Sequence, residues 1–355
     1  MRTSYLTTSV VKAKNFCTKT GPLWALFCLL LVLGCEQRRE AVVISGPTMG
    51  TSYNITLVGQ RSQQELERLQ AGIDAILEHI NQVASTYIDD SELMLFNAAP
   101  IGRPIDVSNE LYELLAISAQ VFALTSGAYD VTVGPVVNLW GFGPGVDFSQ
   151  QRQVPETEAL TQALAKVGFD SLSLGEDSHE VSKAKAISVD LSSVAKGYAV
   201  DELAEYLLAQ NVVDFLVEVG GEIRVSGQNR RAEPWRIGIE MPSLTPTDPA
   251  QAVSITDAGM ATSGDYRNFF VRDGIRYSHT LDPRTGRPIT HNLASVTVIE
   301  ASSALADALA TGLSVMGETD AMEVCRRNQL ACFFIIHDGE GFVEQHSPAF
   351  EVYLH

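Results

Sequence analysis

In the stretch SSALADALATGLSV, residues 302–315, Asp307 and Thr311 stand at i and i+4, so one helical face would present a carboxylate and a hydroxyl one turn apart. Leu305, Leu309, Leu313 and Met316 fall on the opposite, apolar face. The stripe carrying Asp307, Thr311 and Ser314 holds no Lys, Glu or Arg of the kind that solvates a surface helix. Two readings are open: an early-turn Asp complementing the helix dipole after a Ser302 or Ser303 cap, or two oxygens offered to a hard cation.

Lys196 raises a second question. It falls in the first turn of the helix expected after Val189-Asp190, where a cation opposes the dipole and needs an anion nearby. Either Asp190 pairs with it or it meets a phosphate at the helix N-terminus. In GIRYSHTLDPRTGRPI, His279 ends a strand just before a Pro-Arg-Thr-Gly turn and lies beside Asp282. Gly220-Gly221 and Ser263-Gly264 permit close approach of a ligand to the backbone. Other chemistries find no support, because the sequence has no G-x-G-x-x-G after a strand, no P-loop, no G-x-S-x-G and no H-E-x-x-H.

The elements that must position these residues are readable from periodicity. AVVISGPTMGTSYNITLVG alternates as a strand pair around Gly46 and Pro47. SQQELERLQAGIDAILEHINQVA is helical, with Leu66, Leu69, Ile73, Ile76, Leu77 and Ile80 on one face. Asp106 or Ser108 can cap a helix running to about Thr125. SGAYDVTVGPVVNLWGFGPG is too rich in Gly, Pro and aromatics for a helix, and residues 143–180 read as a polar loop and a short helix.

AISVDLSSVAKGYAVDELAEYLLAQ reads as strand, turn and helix with Ser192 or Ser193 as cap, and FLVEVGGEIRVSG as two strands meeting at Gly220-Gly221. Strands dominate from Trp235, with a hairpin expected at Asp273-Gly274. No repeat, low-complexity tract or long linker divides the chain. Strands that follow one another with helices interspersed favour an α+β fold over a doubly wound parallel sheet.

The chain has 355 residues, 45% hydrophobic and 19% charged, enough for a large core. Its first 34 residues carry Arg2, Lys12, Lys14 and Lys19 and no acid, then the apolar run PLWALFCLLLVLG before Cys35. That run is shorter than the ~20 residues of a spanning helix, and it has the shape of an export signal. The V-L-G-C ending is similar to a bacterial lipoprotein signal, which would leave Cys35 lipidated on a tether to residue 44. The folded domain is expected over 45–355.

Removing the four positive charges of the leader takes the formal net charge from −18 to −22. A surface so acidic argues against nucleic acid and against direct binding of anionic headgroups. Of five cysteines only Cys325 and Cys332 would remain, either paired in an oxidising compartment or as two buried thiols.

In order along the chain, MGTSY (49–53), STYIDDSEL (85–93), SGAYDVTVGPVVNLWGF (126–142), DLSSVAKGYAVD (190–201), EVGGEIRVSG (218–227), ATSGDYRNFF (261–270), YSHTLDPRTGRP (277–288) and ADALATGLSVMG (306–317) resemble the ApbE family, the FAD:protein FMN transferases. The resemblance implies a single large α+β domain of mixed or antiparallel sheets and packed helices. It implies transfer of FMN from FAD to a Thr or Ser hydroxyl of an acceptor flavoprotein, with release of AMP. By motif, Met49, Tyr87, Ala128, Tyr129, Asp130, Asp190, Lys196 and Leu281 would bind the flavin nucleotide. Asp307, Thr311 and an oxygen at Ser193, a backbone carbonyl, would hold Mg²⁺, and His279 would be the catalytic base.

The family's acceptors include subunits of membrane redox complexes. The expected location is therefore the periplasmic side of the bacterial inner membrane, by a lipid anchor at Cys35, with outer-membrane sorting left open by Glu36. Two other functions remain compatible with these residues: a metal-dependent FAD pyrophosphatase, and a non-catalytic flavin-binding lipoprotein.

Overall fold

The computed structural model describes residues 38–143, 154–176, 178–242, 250–264, 269–272, 275–339 and 341–354; the expected leader and Cys35 lie outside them. The compact unit runs from Arg39, ahead of residue 45, because the first strand starts at Ala41 and Arg39 is already held by Asp214.

In chain order the elements are β1 Ala41–Thr48, β2 Thr51–Val58, α1 Gln63–Ala84, α2 Glu92–Ala98, β3 Ile105–Asp106, α3 Asn109–Leu124, α4 Gly134–Leu139, α5 Thr157–Leu164, β4 Leu172–Leu174 and β5 Glu180–Lys183. There follow α6 Ala195–Ala209, β6 Phe215–Val219, β7 Glu222–Ser226, β8 Trp235–Ile239, β9 Gln251–Ile255, β10 Ala258–Gly264, β11 Phe269–Arg272 and β12 Ile275–Ser278. The last are β13 Leu281–Asp282, β14 Arg287–Pro288, β15 Leu293–Glu300, α7 Ser303–Met316, α8 Glu318–Asn328, β16 Ala331–Asp338 and β17 Gly341–His346.

Eight strands form the central sheet in the order β1-β2-β6-β7-β10-β15-β16-β17. Its ladders are antiparallel throughout, as an α+β fold requires. Side chains alternate between its two faces. From β16, Cys332, Phe334 and Ile336 join the core shared with α1, α3, α6 and α7, while Ala331, Phe333 and Ile335 join a second core under β8, β9 and Phe350. Burial on both faces explains why ACFFII is apolar without alternation.

Local chemistry sets several boundaries. Ser62 and Ser108 cap α1 and α3, each accepting a backbone N–H with its hydroxyl. The first hairpin turns at Met49-Gly50, not at Gly46-Pro47, because both turn residues have positive φ, 48° and 71°. Gly46 lies opposite Tyr53, and a Cβ there would stand 2.8 Å from that ring. Pro47 is tolerated because β1 is an edge strand.

GPVVNL does form a short helix, α4, against the expectation from composition; its Pro135 sits in the first turn, where a missing N–H costs nothing. Ile187 to Asp190 does not pair as a strand. The strands flanking the expected Asp273-Gly274 hairpin pair as β11 and β12, and those two residues lie outside the described ones. Cys325 and Cys332 form a disulfide that ties α8 to β16, which settles the pairing the sequence left open.

Candidate active site

The α6 N-terminus lacks the serine cap expected from the sequence. Its N-cap is Val194, which has no side-chain acceptor. The Gly197 N–H is instead taken at 3.1 Å by Asp307 Oδ2, from α7. This is the bond an N-cap carboxylate normally makes within its own helix. Because the Gly197 N–H goes to Asp307, the Ser193 carbonyl four residues back stays outside the helical ladder. Asp307 does not serve its own helix dipole, since α7 is capped by the Ser302 hydroxyl and has no acid in its first turn.

α7 and α6 approach closely because small residues line their contact. A Cβ on Gly197 would overlap the Ser303 carbonyl, and one on Gly259 of β10 would stand 2.7 Å from the Ser303 nitrogen. On the other side of α7, a Cβ on Gly312 would meet Thr125 and Tyr129 at 2.9 Å. The polar stripe of α7 is thereby pressed onto a cavity of about 700 Å³.

That cavity gathers Tyr87, Ala128, Tyr129, Asp130, Asp190, Ser193, Lys196, His279, Leu281, Asp307 and Thr311, drawn from segments far apart in sequence. Met49 is not on its wall; it occupies the β1–β2 turn and packs on the core shared with the helices.

Each residue is fixed differently. Asp130 is held by the chain itself, Oδ1 accepting from the Thr132 N–H and hydroxyl and Oδ2 from the Phe169 N–H. Burial first of all raises the Tyr129 phenol above its ordinary value, so it stays neutral and accepts the Ser193 hydroxyl at 3.1 Å. Tyr87 is 76% exposed although it lines the cavity, leaving an aromatic face to the solvent side. Leu281 is anchored among Val136, Trp140 and Leu160.

His279 follows β12 with its ring edge-on to Phe142, centroids 6.3 Å apart. Phe142 continues into a set of rings with Phe270, Tyr277 and Trp140. The neighbouring Asp282 carboxylate accepts from Arg284 at 2.9 and 3.0 Å.

Lys196 is not paired with Asp190, whose Oδ1 accepts the Ser192 N–H in a local turn. Its ammonium meets Glu222 Oε1 at 2.8 Å and lies 3.7 Å from Asp307 Oδ2. Burial works to lower the Lys196 ammonium, but the charges of Asp307 and Glu222 together hold it above its ordinary value. Glu222 was missed in the sequence. An acid directly after a Gly-Gly turn is the signal that could have found it, since both glycines adopt positive φ, 62° and 110°, to deliver it.

Glu222 is 5% exposed, and its carboxyl is pushed up to about 7, by burial first and then by the Asp307 charge, with Lys196 partly offsetting. Its Oε2 is buried without a hydrogen-bond partner.

The donors suit a hard cation. Asp307 and Glu222 are two buried carboxylates against one ammonium, and Ser193 and Thr311, which line the same cavity, carry neutral oxygens. Among the described residues, no three His, Cys, Asp or Glu side chains converge as a ligand set. An ion here would rely on carbonyl, hydroxyl and water, as Mg²⁺ tolerates.

Comparison with known proteins places the chain in a family. The ApbE family model matches residues 49–334. A FAD:protein FMN transferase of Vibrio cholerae is 45% identical over 333 residues, covering 94% of this chain and 98% of that protein. One of Escherichia coli K12 is 39% identical over 343 residues, covering 93% and 96%. The solved structure of the flavin transferase ApbE from Vibrio cholerae superposes with a TM-score of 0.82 at 44% identity, covering 89% of this chain and all of that one. That of the Pseudomonas stutzeri flavinyl transferase ApbE, apo form, gives 0.80 at 39%, covering 89% and 98%. On the matched span, the identity and the shared fold, this chain belongs to the ApbE family.

Proposed function

We propose that this chain is a FAD:protein FMN transferase that moves FMN from FAD onto a Ser or Thr hydroxyl of an acceptor protein. The observation that carries the reading is the convergence of Lys196, His279, Asp307 and Thr311 on one cavity in a chain so similar to proteins of that name. The acceptor oxygen forms a bond to the FMN phosphorus, the pyrophosphate P–O bond breaks, and AMP leaves.

The chain's part is positioning and charge, as is general for phosphoryl chemistry. His279 takes the hydroxyl proton as the new bond forms. Lys196 faces the pyrophosphate from the first turn of α6 and offsets its charge. Asp307, Thr311 and the Ser193 carbonyl would hold Mg²⁺. When bound, that ion supplies Lewis-acid polarisation of the pyrophosphate and neutralises the departing AMP. Tyr87 offers a face to a flat ring, and Ala128, Tyr129, Asp130, Asp190 and Leu281 wall the nucleotide.

Export and lipid anchoring at Cys35 form part of the proposal. They are supported by the basic-then-apolar leader and by the Cys325–Cys332 disulfide, a bond that persists in oxidising compartments. The acceptors would then be flavoprotein subunits of membrane redox complexes facing the same compartment.

The test is to incubate the chain lacking residues 1–35 with FAD and Mg²⁺, with and without a candidate acceptor, and to weigh the products. FMN covalently on the acceptor is the expected result. Free FMN and AMP regardless of acceptor means a pyrophosphatase, and unchanged FAD means a binding protein.

A further inference from the structure

Glu222 lines the cavity, is buried, and has no task in the reaction described above. Its geometry relative to Lys196 and Asp307 is asymmetric. The 2.8 Å contact between Lys196 and Glu222 is a charge-assisted hydrogen bond. The 3.7 Å separation between Lys196 and Asp307 is an ion pair at longer range, outside hydrogen-bond reach.

The lysine is held on this course along its length. A Cβ on Gly220 would stand 3.3 Å from the Lys196 Cδ, so the aliphatic stem passes directly over the turn that delivers Glu222. Asp307, for its part, accepts the Gly197 N–H with the same oxygen that faces the ammonium.

Two positive charges compete for a carboxylate oxygen. An ammonium drawn in to about 2.8 Å from Asp307 would occupy the face that a divalent cation must use and would repel the ion besides. We infer that Glu222 is a positioning residue that draws the Lys196 ammonium off Asp307, so that the Asp307 carboxylate stays open to a divalent cation. With Glu222 neutral, Asp307 becomes the anion to which Lys196 turns, and the cation is displaced by the chain's own lysine. The inference rests on the proposed cation site at Asp307.

The experiment is a double-mutant cycle on direct Mn²⁺ binding, followed by electron paramagnetic resonance without FAD. It uses the wild type, Glu222→Gln, Lys196→Met, the double variant, and Asp307→Ala, with thermal unfolding to verify folding. Glu222→Gln should weaken Mn²⁺ binding ~10-fold or more, and adding Lys196→Met to it should restore most of the loss. Lys196→Met alone should tighten binding by less than about threefold, so the two changes are strongly non-additive.

If Glu222 only adds negative charge to the cavity, Lys196→Met tightens binding equally in both backgrounds, and the inference is overturned. It is overturned as well if Glu222→Gln binds Mn²⁺ like the wild type while Asp307→Ala does not bind. Should Asp307→Ala bind Mn²⁺ as tightly as the wild type, the cation site itself is wrong and the inference goes with it. Where Glu222→Gln fails to fold, Glu222→Asp serves: its shorter arm should weaken Mn²⁺ binding, again restored by Lys196→Met, and additive effects overturn the inference.

Discussion

Asp307 and Asp201 cap each other's helices. Asp307, on α7, accepts the Gly197 N–H of α6 at 3.1 Å. Asp201, on α6, accepts the Ser303 and Ala304 N–H groups of α7, both at 3.0 Å, and the Ser302 hydroxyl at 2.8 Å. The exchange locks the crossing of the two helices whose ends frame the cavity. It also places one carboxylate, Asp307, both at a helix cap and on the cavity wall.

The two acids should therefore separate in mutagenesis. Asp201→Ala strips three acceptor contacts and the 3.0 Å partner of Arg224, and should cost about 2–3 kcal/mol in urea unfolding while transfer activity survives at low temperature. Asp307→Ala should cost about 1 kcal/mol and abolish transfer. Equal stability losses with equal activity losses would refute the division of labour.

Gly197→Ala tests the closeness of the crossing. Helix propensity alone would favour Ala by ~1 kcal/mol, but the new Cβ collides with the Ser303 backbone rather than with a flexible side-chain end. Overpacking of this kind costs about 1–3 kcal/mol, so a net fall in Tm is expected. A rise in Tm would mean that α7 can back away freely.

His279→Ala should leave FAD affinity within about threefold and reduce single-turnover transfer by ~100-fold or more. Fluorescence titration of FAD and mass analysis of the acceptor read the two separately. Parallel loss of both would remove His279 from the role of base.

Glu222 gives a pH prediction for the cation-free chain. Its folded value, about 7, lies above the ordinary 4.5, so between these two values the folded chain binds more protons than the unfolded one. The contribution runs in the direction of falling stability as pH rises from about 4.5 to about 7, levelling off above. Glu222→Gln should remove a fall of about 1–3 kcal/mol across that window in denaturant titrations. Identical slopes in the two proteins would show that Glu222 does not titrate there.

Periodicity made the strands and long helices readable, since burial on one or both faces writes itself directly into β16, α1 and α7. What stayed hidden depends on partners distant in sequence. Ser192 and Ser193 looked like caps because nothing nearby shows that Asp307, over a hundred residues on, does the capping. Asp190 looked like the partner of Lys196 by proximity, yet its carboxylate turns into its own loop while Glu222 arrives from β7.

The Met49-Gly50 turn was obscured because Gly46 and Pro47 carry stronger turn signals. In the fold, Gly46 answers to the Tyr53 ring and Pro47 to the open edge. The α7 stripe showed its polarity in sequence; its location against a cavity needed the glycines of α6, α7 and β10 to be seen in contact.

The cavity wall takes its residues from Thr86 through Val315, and α7 is among the last elements to be synthesised. A chain emerging in sequence order has Tyr87, Asp130 and Lys196 long before it has Asp307. Until α7 docks against α6, neither Asp307 nor the second of the two reciprocal caps is in place. A chain halted before α7 therefore lacks both the carboxylate and the hydroxyl that this helix contributes to the cavity wall.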